Sequence, residues 1–184
     1  MDVRYHLHGF EAIAKRLASH TQTCVISFVD LYQKTRRNLR ATTVREPSAD
    51  EITRLAAGLA SIASSYGIRI QSCAERIDLE PMGIRHGRCI DRMLIEELQG
   101  ARLNVARDRN QRPECGCVQS VDIGVYDTCS HGCLYCYANT DTKTVCRNRG
   151  LHDLSSPLLI GRMEEGDVVK ERAIRSFKVS DALF

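Results

Sequence analysis

The sequence predicts an α/β protein, either a partial β/α barrel-like fold or an open parallel sheet with flanking helices, plus a cysteine-rich C-terminal region. Three observations lead to this fold class. Amphipathic helical stripes alternate with short apolar runs rich in β-branched residues, as in parallel strands covered by helices. The 184 residues are 43% hydrophobic, which is enough to bury a core. Most of the nine cysteines lie in the second half of the chain.

The first predicted elements are a helix and a strand near the N-terminus. Between Tyr5 and His20 the apolar residues recur at three- and four-residue steps, the stripe of an amphipathic helix. The run 24–29 is nearly continuous in apolar residues and predicts a strand covered on both faces. Asp30 follows at the C-terminal end of this strand.

A capping sequence marks the second helix. Ser48 and Glu51 have the spacing of a capping box, and Gly67 closes the apolar stripe that follows them. Residues 68–73 then predict a second strand reached by a tight turn, with Cys73 at its C-terminal end.

Two further elements precede the cysteine-rich loop. Asp91 is expected to cap a third helix closed by Gly100. Residues 120–126 alternate in hydrophobicity and predict a third strand, which runs directly into Cys129. Since sites in open α/β sheets and β/α barrels form at the C-terminal ends of parallel strands, we expect the groups that follow the three strands to converge.

The last part of the chain predicts a short strand pair, residues 157–161 and 167–171, around a turn at Glu165 and Gly166. For domain organisation, the patterns favour a β/α partial-barrel region over residues 1–105. A cysteine-rich iron–sulfur region over residues 106–184 continues it, the two forming one continuous domain.

Composition restricts the partners. A net charge of +3 gives only weak support to nucleic acid, and the basic runs 34–40 and 107–112 are interpreted as solvated loops. No apolar run is long enough to cross a bilayer and no signal peptide is evident, so we expect a cytoplasmic protein without a membrane partner. An odd number of cysteines in such a chain favours metal or redox chemistry over disulfides.

The segment Cys129-Ser-His-Gly-Cys133-Leu-Tyr-Cys136 places three thiols within eight residues. Thiolates select zinc, copper(I) or iron–sulfur centres. A structural zinc site needs a fourth ligand, and His131, Cys117 and Cys146 are candidates. A [4Fe–4S] cluster held by only three thiolates keeps one iron open for a small molecule.

This C-x-x-x-C-x-φ-C pattern resembles the cluster loop of the radical S-adenosylmethionine (SAM) enzymes. The resemblance implies that Cys129, Cys133 and Cys136 bind a [4Fe–4S] cluster and that the open iron binds SAM. It also implies that Tyr135 lies near the adenine, while Gly132 permits a positive φ in the loop. No Gly-Gly-Glu-like segment, which grips the SAM amino group in that superfamily, is evident.

The wider run CGCVQSVDIGVYDTCSHGCLYCYAN, with KTRRNL upstream and LLIGR…GDVVKER downstream, resembles one uncharacterised family with a radical-SAM-like cysteine cluster near its C-terminus. This resemblance covers nearly the whole chain. Members of that family carry a further N-terminal block, so we expect this chain to correspond to their C-terminal part.

A second group of cysteines lies outside the loop. Cys73, Cys89, Cys115 and Cys117 offer four thiolates, the number that a second, fully ligated iron–sulfur cluster requires. The alternative is that some of them are buried small hydrophobic residues. Cys24, at the start of an apolar run, is expected to belong to the core.

These patterns favour an enzyme of radical-SAM type. It would cleave SAM reductively at the Cys129, Cys133 and Cys136 cluster and act on an unidentified small or macromolecular substrate. An electron donor is then a necessary partner, and Asp30 is a candidate cofactor-binding residue because of its position at a strand end. The alternative is a non-catalytic binding module stabilised by zinc or by a cluster.

Overall fold

The computed structural model describes residues 2–179, and these residues form two compact units. Unit 1 contains the described residues of Met1–Asp30, Arg45–Ser120 and Ser176–Phe184. Unit 2 consists of Leu31–Val44 and Val121–Arg175. Unit 2 therefore consists of two separate segments of the chain, a short one of residues 31–44 and a long one of residues 121–175.

The regular elements follow one another in a mixed α/β order. They are α1 (Val3–Leu17), β1 (Thr23–Ile26), α2 (Gln33–Asn38), α3 (Ala49–Ser65), β2 (Arg69–Ser72), a 3₁₀ turn (Glu80–Met82), β3 (Arg85–His86), α4 (Arg92–Gln99) and α5 (Thr142–Gly150). None of the helices among residues 2–179 is long and apolar enough to span a bilayer.

The sheet of unit 1 is small, open and parallel. Its strand order is β1-β2-β3. Cys24 pairs with Ile70 in the first ladder, and Gln71 pairs with Arg85 in the second. Of the two predicted architectures the structure confirms the open parallel sheet with flanking helices, and the sheet does not close into a barrel.

The core of unit 1 lies between α3 and the sheet. The inner face of α3 buries Ile52, Leu55, Ala56, Leu59 and Ala63. α1 packs against the same helix, and a Cβ atom at Gly58 would lie 2.6 Å from Cδ2 of Leu7. The two helices approach so closely there that a side chain at Gly58 would displace Leu7.

Two predicted helix boundaries are confirmed with their caps. The Ser48 hydroxyl accepts a hydrogen bond from the Glu51 amide over 3.3 Å, and the Ser48 amide donates to the Glu51 carboxylate over 2.8 Å. At α4, Asp91 accepts from the Met93 amide, and Gly100 ends the helix with a φ of 60°. These bonds satisfy amides and carbonyls that a helix end leaves without intrahelical partners.

The predicted third strand is wrong. Residues 120–126 are irregular, and the third strand of the sheet is the two-residue β3. The alternating residues Val121, Ile123 and Val125 are 56%, 83% and 43% exposed, so no sheet face covers them. Strand propensity depends on such neighbours, and without them the alternation does not specify a strand.

The C-terminal strand pair is wrong as well. Residues 157–161 and 167–171 form no strand, although a turn is present at residues 165–166. Val168 and Val169 are 79% and 74% exposed, again without a covering face. The basic run 34–40, expected to be a solvated loop, instead contains most of α2.

Candidate metal centres

The loop that carries Cys129, Cys133 and Cys136 belongs to unit 2 and is closed at its base. The Asp127 carboxylate accepts hydrogen bonds from the Thr140 amide and, over 3.0 Å, from the Thr140 hydroxyl. The Asp127 amide donates to the Ala138 carbonyl over 3.1 Å. Asp127 has a positive φ of 58°, which turns the chain into the loop. Asp127 thus joins the two ends of the loop, and the three cysteines lie between these ends.

Side chains of α2 hold the same loop from outside. Asn38 donates through Nδ2 to the Leu134 carbonyl over 3.3 Å. Lys34 donates through Nζ to the carbonyls of Tyr137, at 3.3 Å, and Asn139. Asn38 thus restrains the backbone between the second and third cysteines, and Lys34 restrains the residues just after the third, so α2 is a positioning element of this site.

The three cysteines line one cavity of about 480 Å³. Cys129 and Cys133 are exposed, Cys136 is half-buried, and none of them is in a disulfide. A fourth thiol, Cys146 of α5, lines the same cavity. The sequence named Cys146 as one of three possible fourth ligands, and nothing in its spacing distinguished it from the others.

Polar side chains also converge on this cavity, among them Asn139 and Arg149. Asn139 donates through Nδ2 to the Cys129 carbonyl over 2.6 Å, which fixes the orientation of its amide. Its Oδ1 atom is buried and has no hydrogen-bond partner. Buried acceptors are nearly always satisfied, so an acceptor without a donor at this position is unusual.

Other predicted site residues differ in their placement. Gly132 has the positive φ, 65°, that the sequence analysis expects of it. Tyr135 is 41% exposed and lies outside the set of residues that line the cavity. Asp30 lies in unit 1 and forms an ion pair with Arg112. The cofactor-binding roles of Tyr135 and Asp30 therefore stay predictions.

A second cavity of unit 2, of about 720 Å³, is strongly basic. It is lined by Gln33, Lys34, Arg36, Arg37, Arg40 and Thr140. Thr140 lines the cysteine cavity too, so the two are neighbours. Four cationic side chains around one opening favour an anionic group there.

The other four predicted thiols come together in unit 1. The Sγ atoms of Cys73 and Cys89 are 3.2 Å apart. Cys115 and Cys117 are buried, and Cys73 packs against them. The side chains of Cys115 and Cys89 both lower the pKa of Cys117, as expected of four side chains that lie close to one another. We refer to Cys73, Cys89, Cys115 and Cys117 as the four-thiol cluster.

Electrostatics differ within the four-thiol cluster. Burial raises the pKa of Cys73 to about 12, and the hydrogen bond with Cys89 adds to that effect. Burial also raises the pKa of Cys115. Burial opposes ionisation of Cys117 as well, but donors including the Ile90 amide outweigh it, and the pKa of Cys117 is lowered. The sulfur of Cys117 therefore acts as a hydrogen-bond acceptor in the four-thiol cluster.

Among residues 2–179, no group of three or more His, Cys, Asp or Glu side chains is placed so that it could hold a metal ion without rearrangement. In the four-thiol cluster, the Sγ atoms of Cys73 and Cys89 contact each other directly. The metal-binding roles predicted for both sets of cysteines therefore stay predictions at this point.

The fold and these sites define an α/β protein with an open three-stranded sheet and two separate groups of thiols. The chain belongs to the family described as a domain of unknown function, DUF1848, whose model matches residues 1–138. That region includes Cys129, Cys133 and Cys136 and ends before Cys146. No curated protein and no solved structure matches the chain.

Proposed function

We propose that this protein is an iron–sulfur enzyme of radical-SAM type, with a [4Fe–4S] cluster bound by Cys129, Cys133 and Cys136. The observation that carries the proposal is that these three thiols line a single cavity. They do so on a loop that is closed at its base by Asp127 and held by α2. A set of soft donors restrained in this way fits a thiophilic cluster.

When bound, such a cluster would supply the one electron that cleaves the C5′–S bond of SAM into methionine and a carbon radical able to take a hydrogen atom from the substrate. An electron donor protein or a chemical reductant must provide that electron. The substrate and the donor are the two partners that the proposal requires.

The residues around the cavity suggest how this chain would hold SAM without a Gly-Gly-Glu-like segment. Asn139 lines the cavity, and a shift of its side chain would bring the unsatisfied Oδ1, which is closed to solvent, to the SAM amino group as an acceptor. Arg149, on the wall of the same cavity, carries the charge that pairs with the SAM carboxylate.

The neighbouring basic cavity supports a substrate that carries an anionic group. Arg37 and Arg40 are exposed on its wall, and Lys34 is half-buried. A phosphate or carboxylate bound there would anchor the substrate beside the cysteine cavity through their shared residue Thr140.

Cys146 favours a second candidate function. Because it lines the same cavity, it could complete a closed set of four thiolates. Such a site leaves no open position and would stabilise a non-catalytic binding module with either zinc or a cluster. The two functions differ in whether Cys146 is a ligand.

Metal analysis of the anaerobically reconstituted full chain separates them. The radical-SAM proposal predicts about four irons and four sulfides per chain at this loop and a visible chromophore that Cys133→Ala abolishes. Cys146→Ala should keep both the iron and the chromophore. If Cys146→Ala loses as much iron as Cys133→Ala, the closed-site module is supported instead.

Activity provides the second readout. With dithionite and SAM, the reconstituted chain should release 5′-deoxyadenosine, and Cys133→Ala should not. Zinc without iron at this loop, or no nucleoside from a fully loaded cluster, would contradict the enzymatic proposal.

We place the reaction in the cytoplasm, where thiols stay reduced, in keeping with nine free cysteines.

A further inference from the structure

We infer that the four-thiol cluster of unit 1 binds a single zinc ion in a closed tetrahedral site. This goes beyond the function proposed for unit 2, since it assigns a second metal centre of a different kind. The sequence had suggested a second iron–sulfur cluster for the same four cysteines.

Sulfur spacing favours one ion over a cluster. Four sulfurs at about 2.3 Å from one zinc ion lie about 3.8 Å from each other. The Sγ atoms of Cys73 and Cys89 are 3.2 Å apart, so binding one ion requires them to separate by only about 0.6 Å. In a [4Fe–4S] cluster each thiolate binds a different iron, with sulfide ions between them, so the sulfurs must stand much further apart.

The backbone around the four-thiol cluster resists such an expansion. The Cys73 amide donates to the Ile26 carbonyl over 2.9 Å, which extends the pairing of β1 and β2 to the first ligand. Ala74 follows with a φ of 51°, a conformation that non-glycine residues adopt only when the surroundings enforce it. The Val118 amide donates to the Ile90 carbonyl over 3.2 Å, and this bond joins the segments that carry Cys117 and Cys89.

The Ile90 amide also donates to Cys117 Sγ over 3.3 Å. An N–H group directed at a ligand sulfur stabilises the thiolate form and fixes the ligand in place. Ile90 directly follows Cys89, so the segment that carries Cys89 also holds the sulfur of Cys117. Cys115 and Cys117 are separated by one residue only.

Charge around the four-thiol cluster suits a zinc tetrathiolate, which retains a net double negative charge. The Arg107 side chain donates through Nε to the Cys115 carbonyl over 2.8 Å. A Cβ atom at Gly116 would lie 3.0 Å from Cγ and Nε of Arg88, so that side chain lies directly over the Cys115–Cys117 turn. The nearby acid Glu114 is paired with Arg76 at 3.2 Å.

Packing indicates a structural role for the ion. Among the described residues, the buried hydrophobic group at the four-thiol cluster is small and consists of Ala74, Cys115 and Cys117, with Cys73 packed against it. So few apolar groups cannot stabilise the loops that meet there. A metal ion bound by all four cysteines would supply that stability, because it would crosslink the end of β2, the segment after β3 and residues 115–117. Small metal-binding domains are stabilised in this way.

The test is zinc analysis of the full chain, expressed with zinc in the medium and purified anaerobically. The wild type should contain about one zinc per chain at this site. Cys89→Ser should lose it, and Cys89 is exposed, so this change opens no cavity in the core. Cys117→Ala should lose it too. The matched control is Cys24→Ala, which removes a half-buried thiol of unit 1 outside the four-thiol cluster and should retain the zinc.

Cobalt substitution reports the ligand set independently of folding yield. The wild type should show the intense thiolate-to-cobalt absorption of a four-sulfur site, and Cys89→Ser, which is expected not to retain the metal, should lack this absorption. The inference is overturned if the wild type takes up no zinc, if Cys89→Ser and Cys117→Ala both retain it, or if the site purifies with iron and sulfide.

Failure here is distinguishable from failure of the proposed function. Cys133→Ala should lose iron and keep this zinc, whereas Cys89→Ser should lose zinc and keep the iron bound by unit 2. Loss of both metals in either variant would mean that the two sites are not independent, and that would overturn the assignment of a separate zinc ion.

Discussion

The Nδ2 atom of Asn38 lies 3.3 Å from the backbone oxygen of Leu134, and this hydrogen bond joins α2 to a loop 96 positions later in the chain. Leu134 stands between the second and third cysteines of the loop. The bond therefore restrains the segment on which the distance between the Cys133 and Cys136 thiols depends.

Asn38→Ala should loosen the cysteine loop. Loss of the bond is expected to lower the free energy of unfolding of unit 2 by about 1 kcal/mol, since the Leu134 carbonyl loses its donor. The measurement is amide hydrogen exchange over residues 129–137 together with the iron retained after reconstitution. Asn110→Ala, an exposed asparagine of unit 1, is the matched control. Equal exchange in both variants would contradict a role for Asn38.

Ser48→Ala should destabilise α3. The Ser48 hydroxyl accepts from the Glu51 amide, and removal of such a cap costs about 1 kcal/mol. Chemical denaturation measures the effect. The control is Ser61→Ala in the exposed part of the same helix, which should be neutral or slightly stabilising because alanine has the higher helix propensity.

The same cap predicts a pH dependence. The hydrogen bond from Arg45, with a further one from the Ser48 amide, holds the pKa of Glu51 well below its usual range. A lowered folded-state pKa means that the stabilisation is present above the ordinary glutamate pKa of about 4.3 and is lost as the pH falls below it.

Glu51→Gln tests that sign. The difference in urea midpoint between wild type and Glu51→Gln should be largest near neutral pH and should shrink as the pH is lowered from about 5 toward 3. A difference that does not change with pH would show that the charge of Glu51 contributes nothing through Arg45.

Cys24→Ala should change stability alone. Cys24 is half-buried in β1, and burial raises the pKa of its thiol, as expected of a small hydrophobic residue. The loss of its sulfur should cost about 1 kcal/mol in the free energy of unfolding. Iron and zinc contents should equal those of the wild type, and a loss of either metal would contradict the assignment of Cys24 to the core.

The basic cavity predicts salt-dependent binding of polyanions. Replacement of Arg37 and Arg40 by glutamine should weaken binding of a labelled single-stranded oligonucleotide, used here as a polyanion probe. The slope of log affinity against log salt should fall by about 1 for each cation that contacts a phosphate. Arg54→Gln on α3, outside this cavity, is the control. An unchanged slope in the double variant would exclude anion binding there.

The elements predicted correctly from the sequence are those with local signals at their ends. α3 and α4 carry their own caps, Ser48 with Glu51 and Asp91, and these act within one turn. The third strand was missed for the opposite reason. β3 has two residues, Arg85 and His86, both exposed, so it leaves no hydrophobic pattern and depends on its pairing with β2.

The candidate sites divide in the same way. The spacing of Cys129, Cys133 and Cys136 is local and identified a single loop, and their sharing of one cavity agrees with that expectation. The place of Cys146 depends on α5, a helix of low hydrophobicity that the sequence analysis did not predict. Likewise, Asn38 and Lys34 reach the loop only through contacts about a hundred residues apart, which no local pattern encodes.

The divided path of unit 2 has a consequence for biosynthesis. The carbonyl that Lys34 contacts at Tyr137 emerges 103 residues later, which corresponds to about 5–20 s at ordinary translation rates. A six-residue helix such as α2 is not stable by itself during that interval. Residues 45–120 leave the ribosome before the cysteine loop does. Unit 1 can therefore begin to fold before the residues that α2 contacts have been synthesised. A metal bound by the cysteine loop as α2 positions it can then be inserted only after residue 137 has emerged.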